Sequence, residues 1–326
     1  MEVSPENLRV IFMGTPGFAV ASLELILNSG MNVVGVITAP DKPAGRGKKL
    51  RPSAVKEFSI QHNLELLQPP NLKDPGFIRQ LTDLRPDLQV VVAFRMLPGM
   101  VWKVPILGTF NLHASLLPQY RGAAPINHVL MNGERITGVT TFLIDESIDT
   151  GNILLRKRTG IGPEETAGEL HDRLKVLGAG LVLETIYRLA RGEVQPRSQE
   201  YFMEPGTVLR PAPRIQKDDC RIDWKRDGLA IHNMIRGLSP YPGAFTFLTG
   251  KTGEKVQLKL LRSTFEPSGH DQPAGLITTD GKEFLQVLVR GGILGITALQ
   301  LEGRRVLETN EFLRGFSLSS FQPRFS

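Results

Sequence analysis

The chain has one cysteine in 326 residues, Cys220. An intrachain disulfide is therefore excluded, as is a metal cluster built on several thiolates. A lone cysteine fits a reducing compartment, and Cys220, set in "KDDCRIDW", reads as a partly buried small residue. No run reaches 18 apolar residues, so no membrane-spanning helix and no membrane partner are expected. The first residues, "MEVSPENLRVIFMG", lack the basic-plus-apolar pattern of a secretory signal and the Arg-rich helix of a transit peptide, which points to the cytoplasm. No G-x-G-x-x-G follows the first strand, and no G-K-S/T. "GTPGF" (14–18) is read as a tight strand-to-helix turn, so no nucleotide cofactor is expected. No spacing of His, Cys, Asp and Glu resembles a ligand set, so no metal is expected either. Internal repeats and low-complexity segments are absent.

What is present begins with charge. The net formal charge is +6, and it is uneven: residues 208–326 hold 17 Lys and Arg against 12 Asp and Glu, while the rest is nearly balanced. A basic surplus gathered in one region favours a polyanionic partner. With 41% hydrophobic and 22% charged residues, the composition is that of a soluble globular protein.

Apolar periodicity supplies the elements. "LRVIFMG" (8–14), "NVVGVIT" (32–38) and "LQVVVAF" (88–94) read as buried strands, with helical spacing over "FAVASLELILNSG" (18–30), "AVKEFSIQHN" and "DPGFIRQLTDLRP". Strand–helix–strand at this spacing is a right-handed βαβ unit and predicts a Rossmann-like α/β fold with a parallel sheet. "GTFNLHAS" and "TGVTTFLID" are two more strands. "ETAGELHDRLKVLGAGLVLETIYRLARG" is a long helix, with Thr166 and Glu169 spaced as a capping box. Residues 194–215 carry four prolines and no clear period. They read as a linker (about 194–212), separating an N-terminal domain, 1–205, from a C-terminal domain, 206–326, and a fragment ending near residue 206 is expected to fold. Beyond it, short alternating strands between Gly/Asp turns predict a small β-barrel.

The chemistry concentrates in "GTFNLHASLLPQYRGAAPI" (108–126) and "LIDESIDTGNIL" (143–154). Alternate residues of a strand share a face, so Asn111 and His113 point to one spot. In open α/β sheets that spot, beyond a strand end, is where ligands sit. Asp145 and Asp149 follow the next strand, and their position alone does not choose between them. An amide donor, an imidazole and a carboxylate suit a group transfer: the amide stabilises an oxyanion, the imidazole moves a proton, and the carboxylate orients the imidazole. Ser115 would sit in a Leu-Leu-Pro turn, so transfer to an external nucleophile is favoured over an acyl-enzyme.

"FNLHASLLPQYRGAAPI" followed by "DESIDTGNIL" resembles the signature of the 10-formyltetrahydrofolate-dependent formyltransferases. The resemblance implies a catalytic set of Asn111, His113 and Asp149. It implies a tetrahydrofolate-binding turn at Ser115, Leu116, Leu117 and Pro118, and a pterin-pocket wall at Val91, Val92, Ala93 and Phe94. It also makes the C-terminal barrel OB-like. Within the family, "FMGTPGFA", "DKPAGRGKKLRPS", "DCRIDW", "GLSPYPGA" and "FLRG" resemble the members that act on methionyl-tRNA, and the match runs nearly the whole chain. The implied reaction transfers a formyl group from 10-formyltetrahydrofolate, a co-substrate, to initiator methionyl-tRNA. The basic loop 41–56 then becomes an RNA contact through Arg46, Lys48, Lys49 and Arg51. A monomer is the default expectation. Three residues depart from the family pattern: Gly17 replaces an acid, Ser147 a glycine and Arg95 a glycine. Two other readings are a formyltransferase for a small amine, such as glycinamide ribonucleotide or an amino sugar nucleotide, and a catalytically silent RNA-binding protein. The basic loop and C-terminal domain speak against the first, and the intact Asn111, His113 and Asp149 against the second.

Overall fold

The computed structural model describes residues 7–44 and 49–325. It divides into two compact units: one of residues up to 122, 137–159 and 171–211, the other of 123–136, 160–170 and 212–326.

In chain order the elements are β1 (Val10–Gly14), α1 (Gly17–Asn28), β2 (Val33–Ile37), β3 (Lys42–Ala44), β4 (Lys49–Arg51), α2 (Ala54–Gln61), β5 (Leu66–Leu67), α3 (Pro75–Asp83), β6 (Leu88–Val92), α4 (Gly99–Trp102) and β7 (Thr109–His113). Next come α5 (Pro125–Met131), β8 (Ile136–Leu143), β9 (Ile153–Gly160) and α6 (Ala167–Ala190). The first unit holds a seven-stranded sheet in the order β5-β2-β1-β6-β7-β8-β9. Its strands are parallel from β5 to β7, and β8 runs antiparallel to β7. Every residue of β1 and of β6 is buried. That is why these segments read as continuous apolar runs rather than alternating ones: helices cover both faces of a parallel sheet. β2 and β6 flank β1 on opposite sides, so the strand order reverses there and opens a crevice at the carboxyl ends.

Local chemistry sets the helix starts. Ser53 accepts the Lys56 N–H to cap α2, and Asp74 accepts the Phe77 N–H to cap α3, with Pro75 in its first turn. The capping box of α6 forms as its sequence predicts: Glu169 Oε2 accepts the Thr166 N–H at 2.8 Å and Thr166 Oγ1 accepts the Glu169 N–H at 3.3 Å. Farther along, α6 lies so close to β7 that a Cβ on Gly178 would stand 2.7 Å from Leu112 Cδ2. A larger residue there would push the helix off the strand that carries Asn111 and His113.

The second unit adds α7 (Gly228–Leu238), β10 (Ala244–Gly250), β11 (Lys255–Pro267), β12 (Ile277–Thr279), β13 (Leu285–Val289), β14 (Gly292–Leu301), β15 (Val306–Glu308), α8 (Thr309–Gly315) and β16 (Phe321–Phe325). The antiparallel sheet runs β12-β13-β14-β11-β10-β16, and a bridge between Leu276 and Arg324 brings its ends together into a nearly closed barrel. In β13 buried and half-buried residues alternate, the mark of one face turned to a core. That core gathers Leu258, Leu260, Val287, Leu294, Leu299 and Phe312. Trp224 stacks on Phe325 at 5.2 Å and donates its Nε1 hydrogen to Thr246 Oγ1 at 2.9 Å, so its polar atom is buried at little cost.

This unit also takes in segments that precede the proline-rich stretch. Asn127 Nδ2 donates to Gly237 O at 2.8 Å, and a Cβ on Gly237 would lie 2.7 Å from Met131 Cγ, so α5 and α7 meet almost backbone to backbone. Arg236, deep in the unit, donates to Asn233 Oδ1 and to the carbonyls of Gly162 and Glu165. A buried guanidinium without those acceptors would be very costly.

Candidate active site

The site is built in the first unit at the end of β7. Asn111 stands opposite Val91 of β6 and Phe142 of β8. Its side chain is half-buried and makes no hydrogen bond to protein among the described residues. Two positions on, His113 is buried, and its Nε2 lies 2.8 Å from Tyr120 O. A carbonyl oxygen only accepts, so the Nε2 hydrogen is committed there and Nδ1 is the nitrogen left to exchange a proton. Nδ1 faces Asp149 Oδ2 at 3.7 Å, within ion-pair reach and too long for a direct hydrogen bond. Asp149 Oδ2 also accepts the Gly122 N–H at 2.9 Å.

The two aspartates that the loop left undecided are separated by their partners. Asp145 turns inward on its own loop, accepting from Ser147 N at 3.0 Å and Thr150 Oγ1 at 2.8 Å. Asp149 alone reaches His113. The glycine-favouring conformation lies at Asp149, with φ 54°, and Ser147 shows no positive φ. Serine is accommodated at 147 for that reason, and it is exposed. Gly17 has nothing within 4 Å of a Cβ built on it, so the position would admit a side chain.

The segment Ser115–Pro118 is a tight, mostly buried turn with a cis Leu117–Pro118 bond. Ser115 Oγ donates to Gln119 O at 2.6 Å, and Thr140 Oγ1 joins its two ends by donating to Ser115 O and accepting from Leu117 N. The Ser115 hydroxyl is therefore engaged in holding the turn. Leu116 is half-buried, while Leu117 packs with Phe142, Ile153 and Phe202. Of the apolar wall, Val91 and Val92 belong to the sheet core. Ala93 leaves β6 with φ 48° and is exposed, and Phe94 is half-buried, so these two carry the accessible surface. Arg95 Nη1 and Nη2 donate to the carbonyls of Pro70 and Pro69, tying the end of this segment to a neighbouring loop. Burial pushes the Arg95 guanidinium below its ordinary value.

Arg46 and Lys48 lie outside the described residues. β3 and β4 on either side pair as an antiparallel ribbon, Lys42 opposite Arg51, and Arg51 is exposed; Lys49 is placed by its backbone in β4. The one acid of the loop, Asp41, is bound to Lys56 Nζ at 2.7 Å and to Gln68 Nε2. The Lys56 hydrogen bond, then that of Gln68, hold its carboxyl below the usual range. Among the described residues, no three His, Cys, Asp or Glu side chains are grouped to hold a metal ion, and no helix is long and apolar enough to cross a membrane.

Four residues of the site carry no expectation from the sequence: Tyr120, Arg121, Gly122 and Gln199. The first three form a Tyr-Arg-Gly turn, with positive φ at Tyr120 and Gly122. Gln199 had no signal, since it stands in the aperiodic proline-rich stretch.

Comparison with known proteins identifies the family. The family model described as formyl transferase matches residues 7–186, and that of the formyl transferase C-terminal domain matches 214–317. Curated methionyl-tRNA formyltransferases are similar over nearly their whole length. That of Bacteroides thetaiotaomicron is 49% identical over 96% of this chain and 97% of its own, and that of Flavobacterium johnsoniae 48% identical over 96% and 98%. Among solved structures, the fold resembles an N-formyltransferase from Helicobacter canadensis in complex with folinic acid and dTDP-3-aminofucose, with TM-score 0.64 and 20% identity over 89% of this chain and 98% of that one. It also resembles HypX from Aquifex aeolicus in complex with tetrahydrofolic acid, with TM-score 0.61 and 19% identity over 96% of this chain and 48% of that one. The chain belongs to the formyl transferase family, within which its near full-length relatives are methionyl-tRNA formyltransferases.

Proposed function

We propose that the chain transfers the formyl group of 10-formyltetrahydrofolate to the α-amino group of methionine on initiator tRNA. The observation that carries the proposal is the approach of Asp149 to His113 Nδ1 beside an Asn111 amide that makes no hydrogen bond among the described residues. An amide donor that the fold does not use is free to meet charge developing on a substrate oxygen.

The steps follow from the groups in place. The uncharged amine attacks the formyl carbon, and Asn111 Nδ2 donates to the formyl oxygen as it gains negative charge. One such donor contributes roughly 10²–10³-fold. The attacking amine loses a proton and the departing folate nitrogen gains one. His113 Nδ1 and Asp149 Oδ2, 3.7 Å apart, carry that proton between them, a step worth roughly 10²–10⁴-fold. Ala93, Phe94 and Leu116, with the Ser115–Pro118 turn that follows His113 in the chain, would offer apolar surface for the flat pterin. The folate is consumed as a co-substrate. The choice of a tRNA substrate rests on the near full-length relatives, on the charge surplus of residues 208–326, and on the basic loop where Arg46, Lys48, Lys49 and Arg51 would meet phosphates. The working form is a monomer in the cytoplasm.

Steady-state kinetics of Asn111→Ala and His113→Ala test the chemistry. Each should lower kcat by at least roughly 10²-fold with folate binding little changed. Turnover close to wild type in either variant removes that residue from the reaction.

A further inference from the structure

We infer that Gln199 is a positioning residue for the reaction, acting through the backbone of Asp149; the inference rests on the role proposed for Asp149 above. Gln199 opens the short 3-10 turn Gln199–Phe202 and is 2% exposed, whereas Ser198, Glu200 and Tyr201 on either side are exposed. Burying a primary amide is costly unless its polar atoms are paired. Here all are. Nε2 donates to Asp149 O at 2.8 Å and to Gly151 O at 3.0 Å, and Oε1 accepts from Arg121 Nε at 3.0 Å and Nη2 at 2.7 Å. A guanidinium only donates, so the Arg121 fork fixes which end of the amide is oxygen and leaves the NH₂ facing the two carbonyls.

The need for such a clamp lies in the backbone it holds. Asp149 has φ 54°, a left-handed conformation that an aspartate enters at a cost and keeps only where its surroundings enforce it. The Gln199 NH₂ joins the carbonyls of residues 149 and 151 across that bend. The aspartate carboxylate is held separately by the N–H of Gly122, the residue that follows Arg121. The path therefore closes: Arg121 side chain, Gln199 amide, Asp149 backbone, Asp149 carboxylate, Gly122 N–H, and back along the chain to Arg121. This circuit fixes Asp149 Oδ2 relative to His113 Nδ1. A misplacement on the order of 1 Å at such a pair costs about 10²-fold.

The test is Gln199→Glu, alone and combined with Asp149→Asn, in single-turnover and steady-state formylation assays with thermal melting as the check on folding. Glutamate keeps the size and the acceptor for Arg121 but turns an oxygen toward two carbonyl oxygens. The single variant should lose about 10²-fold in kcat, with KM for both substrates changed by less than about threefold. Because Gln199 acts only through Asp149, the double variant should be hardly slower than Asp149→Asn alone, whereas a general structural defect would multiply. If Gln199→Glu does not fold, Arg121→Lys, which loses the fork that orients the amide, carries the same comparison with a smaller drop. Wild-type kcat in the folded variant, or multiplicative losses in the double variant, overturn the inference alone. Wild-type turnover in Asp149→Asn itself overturns both the proposed role of Asp149 and this inference.

Discussion

The N–H of Gly122 donates to Asp149 Oδ2 at 2.9 Å, and that bond ties the carboxylate to the turn whose Tyr120 carbonyl also holds His113 Nε2. Imidazole and carboxylate are thus positioned by one loop, not by two independent ones. Asp145, fifth from Thr150, spends its Oδ1 on its own loop instead.

Asp149→Asn should therefore lower kcat by at least roughly 10²-fold, while Asp145→Asn, which keeps an oxygen acceptor for Ser147 N and Thr150 Oγ1, should cost much less. Steady-state kinetics on the two variants side by side decide it. A larger loss at Asp145 reverses the assignment.

Arg46, flanked by Gly45 and Gly47 in the sequence, tests whether the basic loop makes a directed contact. Lysine preserves the charge but not the planar fork that grips phosphate or stacks on a base. Arg46→Lys should cost about 1–3 kcal/mol in kcat/KM for tRNA, and the defect should persist at low salt, where diffuse attraction is strongest. Kinetics identical to wild type across a salt series would leave the loop as a charged tether.

Glu169 bears on pH and stability. The Thr166 N–H at the α6 cap, then Arg262 Nη2, draw its carboxyl down to about 2. A carboxyl depressed on folding stabilises fully above its unfolded value, near 4.5, and loses that contribution as pH falls from there toward about 2. Glu169→Ala should cost about 0.5–2 kcal/mol at neutral pH through the lost capping box. The gap in Tm between variant and wild type should narrow on acidification through that window. A gap that stays constant from neutral pH down to pH 3, on the order of 1.5 units below the unfolded value, would deny the carboxylate this role.

The truncation expected from the sequence to fold now has a different forecast. A fragment ending near residue 206 keeps α5 and residues 160–165 but removes α7. Asn127, Met131 and the carbonyls of Gly162 and Glu165 then lose their contacts with Gly237 and Arg236. The fragment should melt well below the full chain or aggregate, and thermal denaturation with light scattering will tell. A fragment that melts at the full-length temperature would show the chain beyond residue 206 to be dispensable for the folding of the rest.

These residues also mark where the sequence was legible. β1 and β6 announce themselves because burial on both faces leaves apolar residues everywhere but at Gln89, and α6 because Thr166 and Glu169 have one spacing that closes a capping box. That Asn111 and His113 share a strand was readable from alternation, while their catalytic role came from the resemblance. α5 was not: seven residues with no side-chain cap give too little period to see. β9 escaped because its Arg156, Lys157 and Arg158 lie at a sheet edge, where alternation toward a core is relaxed. β16, with Pro323 inside it, is disguised in the same way. Gln199 could not be found from sequence, because its burial depends on Arg121 and Asp149 converging from distant parts of the chain.

The most direct test of the function is a substrate panel. The full-length protein is incubated with 10-formyltetrahydrofolate and, separately, with charged initiator tRNA, charged elongator tRNA, glycinamide ribonucleotide and an amino sugar nucleotide, and formyl incorporation is followed over time. Formylation of the initiator methionyl-tRNA, with a kcat/KM far above that of every other acceptor, is the predicted result. A small amine formylated at equal or higher efficiency, or no acceptor formylated at all, would contradict it.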